Sequence, residues 1–170
     1  MATDLLKPRR GGFLRAFGCG EFIRGYLAGN APYGARAIDS SSGACQADIF
    51  YEYKMALIRE TAMDRAVRLE EKQAKREKRP INPERIQSLS EKLVKRLPYK
   101  SHGCRYSSFV RYFSMLQRLG WVEPTGHEET SAFQQNYVEG QPRRYYRLTP
   151  AGLAAPSEAW ANPQRALGPR

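Results

Sequence analysis

Ser107, Arg111, Ser114 and Arg118 stand four, three and four residues apart in a segment otherwise rich in aromatics. On an α-helix that spacing aligns them along one face. A guanidinium carries a fixed fork of donors that can grip guanine O6 and N7 together, and a hydroxyl can serve either a phosphate or a base edge. Ser107, Ser108, Arg111 and Ser114 are therefore the expected base-contacting residues, with Arg111 the principal reader. A second basic group surrounds them. Lys100 and Arg105 precede the segment, Arg118 closes it, and Arg143, Arg144 and Arg147 follow in an aromatic run. These are placed to neutralise phosphates, which sets affinity rather than sequence preference. If about five of these six cations contact phosphates, log affinity falls with log salt at a slope of about −4.5.

Other chemistries fail on residue type or spacing. Residues 29–36, GNAPYGAR, have the glycine spacing of a phosphate-binding loop but end in Ala35 and Arg36, where Lys and Ser or Thr are required. Gly18, Gly20 and Gly25 miss the dinucleotide-binding spacing. His102 and Cys104 could be two metal ligands, but only His127, Cys19 and Cys45 remain to complete a set, and none has paired spacing. Two scattered histidines outside any nucleophile elbow give no hydrolytic constellation. No catalytic residue, metal, nucleotide or other cofactor is expected, and the chain is not read as an enzyme.

Composition agrees with an anionic partner. Twenty-eight Lys and Arg against seventeen Asp and Glu leave a formal charge of +11, a field that attracts polyanions. With 41% hydrophobic and 26% charged residues, the 170-residue chain has ordinary globular composition and can bury a core unaided. No run approaches the roughly 18 apolar residues of a membrane span, and the basic start lacks the apolar stretch of a secretory leader. Three widely separated cysteines do not make a disulfide framework, so a reducing, cytoplasmic interior is expected.

The elements that must position these residues follow from periodicity. Residues 1–47 carry eight glycines and read as a basic arm with little regular structure around one short helix near 21–28; Arg9, Arg10 and Arg15 would suit a groove. Residues 48–80 lack internal Gly and Pro and read as a long helix, its second half highly charged. Asn82, Pro83 and Glu84 are cap, first-turn proline and dipole-compensating acid for a helix over 83–97, whose stripe Ile86, Leu89, Leu93 and Leu97 should face the core. Ser107 or Ser108 should cap the next helix, buried along Phe109, Tyr112, Phe113, Leu116 and Leu119 and ended by Gly120. Then WVEP and RRYYRL read as two strands joined by a long polar loop, and Thr149–Pro150 opens a short helix that Pro156 interrupts.

The order helix, helix, two-stranded ribbon, closing helix, with FSMLQRLGWVEPTG followed by QPRRYYRLTPAGL, resembles the recognition helix and wing of winged-helix regulators such as the PadR and MarR families. The resemblance covers about 70 residues from Pro83 onward and is carried by Leu116, Leu119, Gly120, Trp121, Arg144, Tyr145, Tyr146, Arg147, Leu148, Thr149 and Gly152. It implies a mainly α fold with a small antiparallel hairpin: a winged helix-turn-helix over 81–155, preceded by the long helix and followed by a Pro-rich tail, 156–170. It further implies a sequence-specific double-stranded DNA-binding transcriptional regulator, with the third helix in the major groove and the wing on the backbone. Three features depart from the pattern. The connector before the third helix is long. Glu128, Glu129 and Glu139 in the wing would repel phosphate, so its tip should turn away from DNA or toward protein. Pro156, Pro163 and Pro169 forbid a long C-terminal pairing helix, which leaves the helix from Asp48 as the route to a homodimer. The rival readings are a protein-interaction adaptor and an RNA-binding ribonucleoprotein component.

Overall fold

The structure, a computed structural model, describes residues 17–129 and 142–168; Arg9, Arg10, Arg15, Glu139 and Pro169 lie outside them. In chain order the helices are α1 (Cys19–Leu27), α2 (Gln46–Glu77), α3 (Pro83–Arg96), α4 (Tyr106–Arg118), α5 (Pro150–Ala154), α6 (Ser157–Ala161) and α7 (Pro163–Ala166). The strands are β1 (Ala44–Cys45), β2 (Val122–Glu129) and β3 (Arg143–Leu148), giving a mainly helical chain with one small antiparallel sheet. Among the described residues no helix is long and apolar enough to cross a membrane.

The described chain divides into two compact units: residues 18–53 with 105–168, and residues 54–104 with Phe17. The helix α2 runs from one into the other.

In the first unit, aromatic side chains fill the core. Phe22 stacks on Tyr26 at 5.6 Å and meets Tyr53 at 5.4 Å, Phe50 meets Phe109 at 5.3 Å, and Phe113 presents an edge contact to Tyr146 at 4.9 Å. Phe22, Ile23, Leu27, Ile49, Phe109, Phe113 and Leu116 are fully buried. Phe109, Phe113 and Leu116 of the expected α4 stripe are thus the inner face, whereas Tyr112 and the C-cap residue Leu119 are half-buried, and the Tyr112 hydroxyl donates to the Trp160 carbonyl. After α4, Gly120 takes φ 72° and the Trp121 N–H reaches back 3.0 Å to the Leu116 carbonyl, reversing the chain into β2. Thr149 locks the far end: its N–H donates to the Trp121 carbonyl at 2.9 Å, its hydroxyl donates to the Gly120 carbonyl, and that oxygen accepts from the Gly152 N–H at 3.0 Å. A Cβ on Gly152 would collide with the Trp121 carbonyl, so only glycine allows this approach.

Several expectations are revised here. The sheet has three strands in the order β1–β3–β2, with Ala44 opposite Tyr146 and Cys45 opposite Tyr145, not two. A two-residue strand is too short to show alternation in a sequence. The glycine-rich stretch before Asp48 holds α1 and β1, with Phe22, Ile23, Tyr26 and Leu27 in the core. β2 extends past WVEP to Glu129, so Glu128 and Glu129 lie in the ladder opposite Arg144 and Arg143, with an irregularity after Pro124. The Pro-rich tail forms α6 and α7 and buries Trp160, whose indole N–H donates to the Gly152 carbonyl at 2.9 Å. Ser107 and Ser108 sit inside the first turn of α4; its N-cap is Arg105, with no side-chain cap.

The second unit is a helical hairpin of the remainder of α2 and α3. The Lys54 ammonium donates to the Tyr99 carbonyl at 3.0 Å and lies 4.3 Å from the Tyr99 ring centre, joining the two legs at one end. At the other end the covered Glu70 carboxylate accepts from the Asn82 N–H at 3.1 Å and pairs with Arg79 and Arg85. Asn82 caps α3 by accepting from the Glu84 N–H at 3.0 Å. The small residues Ala62, Ala66, Ala74 and Ser90 are buried, whereas Ile86, Leu89, Leu93 and Leu97 are only half-buried. The helix α3 is amphipathic, but the stripe expected to face the core is only partly covered. In a two-helix hairpin each helix has a single neighbour, which leaves the flanks of such a stripe wet.

Candidate nucleic-acid interface

The face of α4 opposite Phe109, Phe113 and Leu116 carries Ser107, Ser108, Arg111, Ser114 and Arg118, all exposed. Arg105 at the helix start is exposed as well. The amino end of α4 has no side-chain cap, so its first N–H groups point outward, where the positive end of the helix dipole favours an anion. Arg111 projects from the middle of this row.

The ribbon of β2 and β3 follows from α4 through the Gly120 turn. Its cations are balanced by acids on the neighbouring strand. Arg147 pairs with Glu123 at 2.9 Å and Arg144 with Glu128 at 3.2 Å, in both cases with side chains about half exposed. Glu129 receives the Tyr145 hydroxyl at 2.9 Å and lies 3.2 Å from His127 Nε2. Hydrogen bonds from His127 and Tyr145 hold the Glu129 carboxyl below its ordinary range, and burial together with this carboxylate pushes the Tyr145 phenol up to about 12. To meet a phosphate, Arg144 and Arg147 must each exchange a carboxylate for it. Exposed pairs are worth only about 0–1 kcal/mol, so the exchange is cheap.

Between the ribbon and the starts of α2 and α4 lies an open cleft of about 370 Å³, lined by Cys45, Gln46, Ala47, Tyr106, Arg143 and Arg144 among others. The strand β1 and Tyr106 were not legible as site neighbours in the sequence. The signal that was present is the turn before β1, where Asp39 accepts from Ser41 and Gly43 adopts φ 68° directly beneath the Tyr146 carbonyl.

Arg105, Ser107, Ser108, Arg111, Ser114, Arg118, Arg143, Arg144 and Arg147 all belong to the first unit. Lys100 belongs to the hairpin, exposed in the turn Tyr99–Ser101. His102 is buried, its Nδ1 donating to the Pro98 carbonyl at 2.7 Å, and burial holds its pKa below the ordinary histidine value. Among the described residues no three His, Cys, Asp or Glu side chains gather as a metal site, and no disulfide joins Cys19, Cys45 or Cys104. No family model matches the chain, and no curated protein or solved structure matches it either.

Proposed function

We propose that the protein is a sequence-specific double-stranded DNA-binding protein that acts as a transcriptional regulator, with α4 in the major groove and the β2–β3 ribbon on the adjacent backbone. The observation that carries this reading is the outward face of α4, where Arg111 is flanked by small hydroxyl residues and followed directly by a ribbon with three arginines. The small serines let the helix approach base edges, and a guanidinium at the centre can read guanine with two bonds. In this reading the first unit is a winged helix in which β1 pairs with the wing, and the starts of α2 and α4 are the helix pair. The hairpin of residues 54–104 is an insertion between them, which accounts for the connector being too long for a simple helix-turn-helix.

The paired state of Arg144 and Arg147 is what favours the adaptor reading, since a charge-balanced ribbon also suits a protein surface. Fluorescence anisotropy with duplex DNA separates the two. The wild-type chain should bind with affinity that falls steeply with salt, and Arg111→Ala should weaken binding to a preferred duplex by about 5- to 150-fold. Binding that ignores salt, or that survives Arg111→Ala unchanged, would falsify the major-groove assignment.

A further inference from the structure

We propose that the hairpin unit carries a second contact for the phosphate backbone of duplex DNA, made by a row of five cations on α2: Arg65, Arg68, Lys72, Lys75 and Arg76. This proposal rests on the DNA-binding reading and adds a surface on a different unit of the chain.

The five positions advance by three, four, three and one residues along one continuous helix, which places them on one stripe, and every one is exposed. From Arg65 to Arg76 the helix rises about 16 Å at about 1.5 Å per residue. One strand of a duplex presents a phosphate about every 3.4 Å of the axis, so a row of this length spans about five of them.

What distinguishes the row from an ordinary solvated face is where the acids of the same hairpin have gone. Glu70 turns inward to Arg79 and Arg85, and Glu77 is held by Arg79. Asp64 takes only Arg68, at 3.1 Å. Among the described residues no ion pair joins a carboxylate to Arg65, Lys72, Lys75 or Arg76; Glu71 stands one turn before Lys75 in sequence. Like charges one turn apart destabilise a helix. The row contains four such pairs: Arg65 with Arg68, Arg68 with Lys72, Lys72 with Lys75, and Lys72 with Arg76. A polyanion laid along the stripe relieves that repulsion and releases its own counterions. No serine or other small donor interrupts the row to read bases, so the contact adds affinity without sequence preference.

The test measures the full chain on duplex DNA across roughly 50–200 mM salt, comparing the wild type with the combined variant Arg65→Gln, Arg68→Gln, Lys72→Gln, Lys75→Gln and Arg76→Gln. At about 0.9 per lost phosphate contact, its log–log salt slope should be shallower by up to about 4.5 units, with the preferred sequence unchanged. The milder Lys72→Gln/Arg76→Gln variant should shift the slope by about 1.8 units, and it serves if circular dichroism shows the fivefold variant unfolded. Folded variants with the wild-type slope overturn the hairpin contact and leave the α4 assignment intact. A shallower slope together with an ineffective Arg111→Ala supports the hairpin contact and sinks the α4 assignment instead. Duplex RNA competing better than duplex DNA overturns the choice of partner, and a wild type that binds no duplex overturns both readings.

Discussion

At the scale of single residues, four side chains carry testable consequences. Arg111 is exposed in the middle of α4 and is the residue whose removal should relax base preference, whereas loss of Arg143 should weaken all sequences alike. Lys78 follows α2 in the left-handed region at φ 52°, where the Arg79 N–H bonds the Ala74 carbonyl at 3.0 Å in the way that normally ends in glycine. A Cβ in that region costs about 1–2 kcal/mol, partly offset by the entropy glycine loses, so Lys78→Gly should stabilise the fold by about 1 kcal/mol in urea titration. His102 is buried with Nε2 unpartnered among the described residues. Burial, and then the nearby Arg65 and Lys54 charges, hold its folded pKa below that of the unfolded chain, while its Pro98 bond opposes them. The unfolded chain therefore takes up the proton first. The stability His102 contributes is complete above the ordinary histidine pKa of about 6.5 and is lost as pH falls below it. Denaturation at pH 7.5 and 5.5 should show a loss in the wild type that His102→Gln lacks; equal losses would contradict the assignment.

At the scale of elements, Thr149 is the joint between the Gly120 turn, β3 and α5, and Thr149→Val should cost about 1–2 kcal/mol through the lost cap. Thermal melts read this directly, and a change within error would argue that the joint is slack. Thr149, Gly120 and Gly152 were all legible in the sequence because caps and tight turns are local chemistry. So were α4 and its outward row, since Phe109, Phe113 and Leu116 alternate with Arg111, Ser114 and Arg118 at helical spacing. The two-residue β1 was not, because its only distinguishing property is a partner about a hundred residues away, Tyr146. Glu128 and Glu129 read as loop residues because 125–142 is polar and contains two glycines and a proline; cross-strand pairing with Arg144 and Arg143 supplies what composition lacks. The apolar stripe of α3 was read correctly as a stripe, but no periodicity reports how many neighbours a helix has.

At the scale of the whole molecule, a formal charge of +11 gives the chain a field that steers it toward polyanions and makes association fall with ionic strength. The charge is not evenly useful. Acids on β2 and α2 hold Arg144, Arg147, Arg79 and Arg85 in ion pairs, while among the described residues Arg111 on α4 and every cation of the α2 row except Arg68 stand in none. Under the proposed function, affinity and selectivity are separate properties of separate surfaces: the α2 row would contribute binding that any duplex satisfies, and α4 would contribute discrimination. The most direct measurement is selection of bound duplexes from a random pool, run in parallel on the wild type and Arg111→Ala. The wild type should enrich a short guanine-containing motif that Arg111→Ala no longer enriches at that guanine, with overall retention reduced but not abolished. A pool that stays unenriched after repeated rounds, or a motif indifferent to Arg111, would contradict base reading by α4.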